Sequence, residues 1–167
     1  MSLSSAILPE FDQEMATTRK TLERVDDAKA EWKPHAKSYT MSQLAGHLAT
    51  IPGLTAPTLE LDSLDLAPNG IPIKTETPKT RAEILKAFDE NVAKARAVIE
   101  KTSDAAFMRP WTLMANGQKI FTQPRAGVLR GFIISHMIHH RAQLGVYLRL
   151  NDIPHPAMYG PSADDAM

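Results

Sequence analysis

The chain contains no cysteine. That excludes disulfides, thiolate metal ligands and a cysteine nucleophile. It accords with a reducing compartment, and a cytoplasmic location is expected. Excess charge is also missing: Lys plus Arg and Asp plus Glu number 19 each. A balanced chain offers no electrostatic footprint for nucleic acid or an anionic membrane, so neither is an expected partner. No run of ~18 uncharged apolar residues occurs, which leaves no candidate membrane span. The opening stretch MSLSSAILPEFDQE lacks a basic region followed by an apolar run, so no signal peptide is expected there. Internal repeats and low-complexity tracts are absent as well.

What remains is a chain of 167 residues, 43% hydrophobic, enough for one domain over 1–167 with its own core. Apolar spacing predicts four amphipathic helices. The first covers roughly 3–26, with Ile7 or Leu8, Phe11, Met15, Thr18, Leu22 and Val25 at three- and four-residue steps. Pro9 blurs its start, because an interior proline removes a hydrogen bond and crowds the preceding turn. After a connector at 27–40, Thr40 and Gln43 form a capping box. The second helix carries Leu44, His47, Leu48 and Ile51 until Pro52-Gly53 breaks it, with a further turn to about Leu61. Residues 62–79, with Pro68, Asn69-Gly70, Pro72 and Pro78, read as a surface connection. Thr80 and Glu83 are a second capping box, opening a third helix to about Lys101 on Leu85, Phe88, Val92, Ala95 and Ile99. Asn116-Gly117 between WTLM and KIFT signals a small hairpin, since both residues tolerate positive φ. Pro124 suits the first position of a fourth helix, which runs to about Leu150 and stops at Asn151 and Pro154. The tail HPAMYGPSADDAM reads as loop, folded back through Met158 and Tyr159. The expected fold class is all-α, a four-helix bundle with a small hairpin before the last helix.

The last helix carries three histidines in SHMIHHRAQLGVYLR. At about 100° per residue, His136 and His140 lie one turn apart on one face, whereas His139 points to its edge. The i, i+4 pair is the spacing that lets two imidazoles reach one metal ion from a single helix. The ordinary alternative is a pair of hydrogen-bonded core or surface histidines. His47 strengthens the metal reading, because it sits on an apolar stripe of another helix with no capping or turn role. If helices two and four pack side by side, three imidazole nitrogens converge and leave a coordination position open, the catalytic style for Zn²⁺ and a fit for Ni²⁺, Fe²⁺ or Cu²⁺. His35 and His155 each sit beside a proline and read as surface residues.

GHLA around His47, HMIHHRAQLGVYLR around His136 and His140, and the tail MYGPSADD together resemble the DinB/YfiT-like metalloenzymes. WKPH at 32–35 and PRAGVLR at 124–130 are similar too, so the likeness covers most of the chain. It implies a bundle of up-down-down-up topology, a homodimer, and one divalent ion on His47, His136 and His140. His139 has no metal role in that pattern. Ala142 stands where the pattern often has Gly. The resemblance also implies a small-molecule substrate and a reaction of thiol-dependent transferase or hydrolase type. In some relatives a low-molecular-weight thiol such as mycothiol or bacillithiol serves as cosubstrate. Zn²⁺ or Ni²⁺ are the first candidates for the metal, followed by Fe²⁺ or Mn²⁺.

Gln143 and Tyr147 lie within about 20° of the His136 direction and are candidates to orient the ligating rings. Arg141 points elsewhere and is expected to pair with a carboxylate of a neighbouring helix or subunit. Trp32 and Trp111 are expected to anchor loops. Gly131, Ile134, Ile138, Ala142 and Gly145 form a second small, apolar seam, to be covered by another helix or by a second subunit, and a homodimer is the favoured expectation. The competing functional reading is a non-catalytic metal-binding stress-response bundle with a structural or vestigial site.

Overall fold

Both capping boxes form, and each starts a helix where the chain needs one. Thr40 and Gln43 bond reciprocally to open α2 (Met41–Thr50), and Thr80 and Glu83 do the same for α4 (Arg81–Lys101). Ser2 caps α1 (Leu3–Leu22), which accommodates Pro9 in its interior. These elements belong to a computed structural model that describes residues 2–73 and 77–166. Part of the expected 62–79 connection, residues 74–76, lies outside the described residues.

Pro52 ends α2 because it supplies no N–H to the helical ladder. The chain tightens into a 3₁₀ turn at Ile51–Leu54 before a short α3 (Thr55–Glu60). The last helix is built in three parts: α6 (Arg125–Val128), a π-helical stretch at Leu129–Ile134, and α7 (Ser135–Leu150). Pro124 closes the preceding strand and caps α6 rather than opening it.

The four long helices pack around one core that includes Phe11, Met15, Leu44, Leu48, Phe88, Ile99, Ile133 and Leu144. Their directions follow from the pairs that tie them. Asp12–Arg96 and Arg19–Asp89 make α1 antiparallel to α4, while Glu10–Arg130 and Glu14–Arg141 make α1 parallel to the last helix.

The all-α expectation is overturned by a three-stranded mixed sheet. Its strands are β1 (Ser63–Asp65), β2 (Pro110–Ala115) and β3 (Gln118–Pro124). A short α5 (Asp104–Phe107) precedes β2. β2 and β3 form a hairpin turned at Asn116 (φ 52°) and Gly117 (φ 73°). β1 then joins β2 in parallel, with Leu64 opposite Leu113. Asp65 secures the joint: its carboxylate accepts from the Asn116 N–H at 2.9 Å and the Gly117 N–H at 2.7 Å. Three residues inside a proline-rich connector carry no strand period, and their partner lies far along the chain. Local pattern therefore could not reveal β1.

The sheet is not an appendage. Trp111, Leu113 and Val128 form a second small core, with Leu64, Phe121 and Phe132 packed on it. The Trp111 indole N–H reaches the Pro57 carbonyl at 3.1 Å. Arg125, buried, donates to the Leu59 and Leu61 carbonyls and to Asp62. The end of α3 and the start of the last helix are thus locked together, which sets the depth of α7 beside α2. No helix among the described residues is long and apolar enough to cross a membrane.

Candidate metal centre

His47 from α2 and His136 and His140 from α7 meet at one point. One nitrogen of each lies within 4.8 Å of the others. The His136 and His140 Nε2 atoms are 2.8 Å apart, and His47 Nε2 stands 3.4 Å from His136 Nε2. All three rings are half-buried. Among the described residues no Asp or Glu joins the group, so the donor set is three imidazoles.

Local structure explains the convergence. Gly46 lets the connector close against α2 next to His47, since a Cβ there would lie 2.4 Å from Thr77 Cγ2 and 2.5 Å from the Pro78 carbonyl. On α7 the i, i+4 spacing stacks His136 over His140. The π-helical stretch ends just before His136, and Phe132 within it lies against the His136 ring, centroids 5.8 Å apart. Such single π turns recur at functional sites because the extra residue rotates the phase of the downstream helix.

Electrostatics favour neutral rings with available lone pairs. Burial, then the charges His140 and His136 would carry, pull His47 down from 6.5 to about 4. Burial also lowers His136, assisted by His140 and opposed by the nearby Phe132 carbonyl. Burial lowers His140, with Gln143 acting in the opposite sense. With the proton of each neutral ring on Nδ1, the three Nε2 lone pairs face one point and suit a cation; with it on Nε2, the same atoms hydrogen-bond one another. The donor set therefore fits a divalent ion of the imidazole-preferring kind. His136 Nδ1 is buried without a closed hydrogen bond, so it has no fixed second partner.

The same shifts predict a pH dependence for metal-free protein. A histidine depressed in the folded state binds fewer protons folded than unfolded, so stability is complete above 6.5 and falls as pH drops toward 4. The loss expected is about 1–2 kcal/mol, reduced from the full linkage value because the rings are partly solvated. Urea unfolding at pH 7.5 and pH 5 with a chelator present measures it, and equal stability would contradict it.

The other expected residues divide. Gln143 Oε1 accepts from His140 Nδ1 at 2.7 Å, the outer contact that orients a ligating ring. Tyr147 makes no such contact with the three rings. Its hydroxyl donates to the Tyr39 carbonyl at 3.2 Å, and its ring meets Trp32 edge-on. Arg141 is buried and paired with Glu14 of α1 at 2.8 Å. His139 is exposed and outside the cluster. Sequence reasoning missed Asn91 and Thr50, which line a cavity next to His47. Neither has a sequence signature, because an exposed-face Asn and a helix-end Thr are ordinary.

A helical bundle with a sheet attached and three imidazoles gathered between two helices defines a candidate metal-site protein. The chain belongs to the DinB superfamily, whose family model matches residues 10–144. The fold is similar to that of a DinB-like protein from Bacillus cereus, at 18% identity over 95% of this chain and 98% of that one, TM-score 0.72. A DinB-like protein from Bacillus subtilis (YjoA) is similar at 22% identity over 97% of this chain and 99% of that one, TM-score 0.66. A mycothiol-dependent maleylpyruvate isomerase is similar at 16% identity and TM-score 0.57, over 85% of this chain but only 60% of that one. No curated protein sequence matches the chain.

Proposed function

We propose that this protein is a metal-dependent enzyme in which His47, His136 and His140 hold one divalent ion, with Zn²⁺ or Ni²⁺ ahead of Fe²⁺ or Mn²⁺. The observation that carries the reading is the gathering of three half-buried imidazoles whose charged forms are disfavoured. A bound ion would supply Lewis acidity, lowering the pKa of a thiol or water at neutral pH. The protein's part is to keep the rings neutral, to hold His140 through Gln143, and to leave space for a small molecule. A structural zinc site is closed by a fourth protein ligand. Here the group has three members among the described residues and His47 borders an open cavity, which favours an enzyme over a structural or vestigial site.

A thiol cosubstrate is the finer part of the proposal. Its support is the likeness to an isomerase described as mycothiol-dependent, together with a chain that has no thiol of its own. The test compares metal-loaded protein with chelator-stripped protein for transfer to, and hydrolysis of, small electrophiles, with and without added thiol. Turnover that needs both metal and thiol supports the proposal. Turnover indifferent to metal overturns it.

We also propose a homodimer, on narrower ground than the seam of the sequence. Ile134 is in the core, and Gly145 is covered by the chain's own tail, since a Cβ there would meet His155 Nε2 at 2.4 Å. What stays open is Gly131 near the start of the last helix and, along α7, Ala142 with Val146 and Leu150, these three spaced four apart and exposed. Light scattering is expected to give twice the chain mass of 18.4 kDa. A monomer at all concentrations, or a dimer unaffected by Val146→Glu, would rule out this face.

A further inference from the structure

Tyr39 lies in the connector before α2, yet its ring comes within 6.2 Å of the His47 ring, centroid to centroid, at an interplanar angle of 56°. Helix geometry permits the approach. Side chains on an α-helix lean toward its N-terminus, so His47 tilts back along α2 toward Tyr39. The other side of this passage is α7. The Tyr147 hydroxyl, about two turns beyond His140, donates to the Tyr39 carbonyl at 3.2 Å. Tyr39 therefore sits between α2 and α7, on the approach to the three imidazoles from the end where α2 begins. The backbone that follows it is fixed. The Thr40 N–H donates to Gln43 Oε1 at 2.9 Å and the Met41 N–H to the Trp32 carbonyl at 2.9 Å. Even so, Tyr39 is 53% exposed. A single exposed aromatic is ordinary on a surface. Beside the ligand cluster and on a fixed backbone, it offers a flat face whose ordering is largely complete before anything binds.

We propose that Tyr39 is the aromatic wall of the metal centre: its ring face contacts the molecule held at the open coordination position and favours one with a flat, unsaturated group next to its metal-binding atom. The inference rests on the metal-centre reading, which places that molecule. An aromatic face attracts two kinds of partner, another π system or a cation. A divalent ion on the three imidazoles repels a cation so near it, and the flat unsaturated group remains. Stacking of this kind changes affinity about two- to tenfold. Tyr39 thus sets a preference among ligands, while the metal supplies most of the binding.

The test titrates isotope-labelled full-length protein, incubated with Zn²⁺, with two thiols followed by NMR. Phenylmethanethiol carries a flat ring, and cyclohexylmethanethiol a puckered one of similar size. The aromatic thiol is expected to shift the Tyr39 ring signals saturably. The ratio of the two affinities is expected to favour the aromatic thiol about two- to tenfold more in the wild type than in Tyr39→Leu. Comparing proteins removes the intrinsic difference between the thiols. Tyr39→Phe should keep the wild-type ratio, because the ring face and not the hydroxyl makes the contact. Both variants should keep the metal content, since Tyr147 bonds to the backbone of Tyr39. An unmoved Tyr39 ring in the wild type, the same ratio in Tyr39→Leu, or loss of the preference in Tyr39→Phe would each overturn the assignment. Elemental analysis of the same samples separates the two readings. A Tyr39-dependent preference in protein that takes up no metal keeps the wall and removes the metal centre; metal-loaded protein without the preference does the reverse.

Discussion

His136→Ala is expected to abolish metal binding. Protein purified without a histidine tag should carry about one divalent ion per chain, the number one three-nitrogen site holds. His136 Nε2 lies 2.8 Å from His140 Nε2 and 3.4 Å from His47 Nε2. Removing it leaves two imidazoles on different helices, and affinity should fall by well over the roughly 10–100-fold that loss of an orienting partner costs. Gln143→Ala removes only such a partner and should show that smaller loss. Gln143 is exposed, so this variant should fold normally, and it distinguishes a metal effect from a packing effect. Circular dichroism and thermal unfolding keep the comparison to folded protein. A wild type without metal, taking up none from added Zn²⁺, Ni²⁺ or Mn²⁺, would return the three rings to a hydrogen-bonded cluster and end the metalloenzyme proposal.

Arg141→Ala is expected to be the most destabilising single change outside the apolar core. The Arg141 side chain is 1% exposed and that of Glu14 is 7% exposed. Around the pair, Arg141 also donates to the Glu14 carbonyl, to Thr18 Oγ1 and to the Tyr159 hydroxyl. Tyr159 donates in turn to the Glu14 carboxylate at 2.8 Å. Truncating the arginine strands a buried carboxylate and a carbonyl, at a cost of about 3–5 kcal/mol. For a chain of this length that is a fall in Tm of roughly 10 °C. Replacing both partners, Glu14→Leu with Arg141→Met, should restore most of the loss, because the desolvation penalty disappears with the charges. Tyr159→Phe should cost only about 1 kcal/mol. Chemical denaturation of the wild type and these three variants measures the differences. A loss under about 1 kcal/mol for Arg141→Ala would mean that the pair is solvated rather than buried.

The network also shows what α7 is for. Arg141 faces α1 while His136 and His140 face α2, so one helix is gripped from two sides and its histidines are held in depth and rotation. The tail completes the grip: Tyr159 closes over Arg141, and Arg149 pairs with Asp164. YGPSADD thus works as a strap on α7, in line with the expected fold-back through Tyr159.

By itself the sequence determined the parts whose causes are local. Two capping boxes, the break at Pro52-Gly53, the turn at Asn116-Gly117 and the i, i+4 histidine pair follow from neighbours a few residues apart, where backbone geometry dictates the outcome. Tertiary structure decided the rest. β1 exists only because Asp65 and Leu64 find the distant hairpin, and no periodicity in three residues can announce that. Tyr147 shares a helical face with the histidines, yet the neighbouring Tyr39 carbonyl and Trp32 ring claim it. Gly145 lies on the seam read as a subunit contact, yet His155 of the same chain covers it. His47 reaches His136 and His140 because Arg125, Trp111 and the π-helical stretch fix the last helix against α2 and α3. Side chains far apart in sequence meet only when packing has chosen both depth and rotation, and that choice is made by the whole core at once.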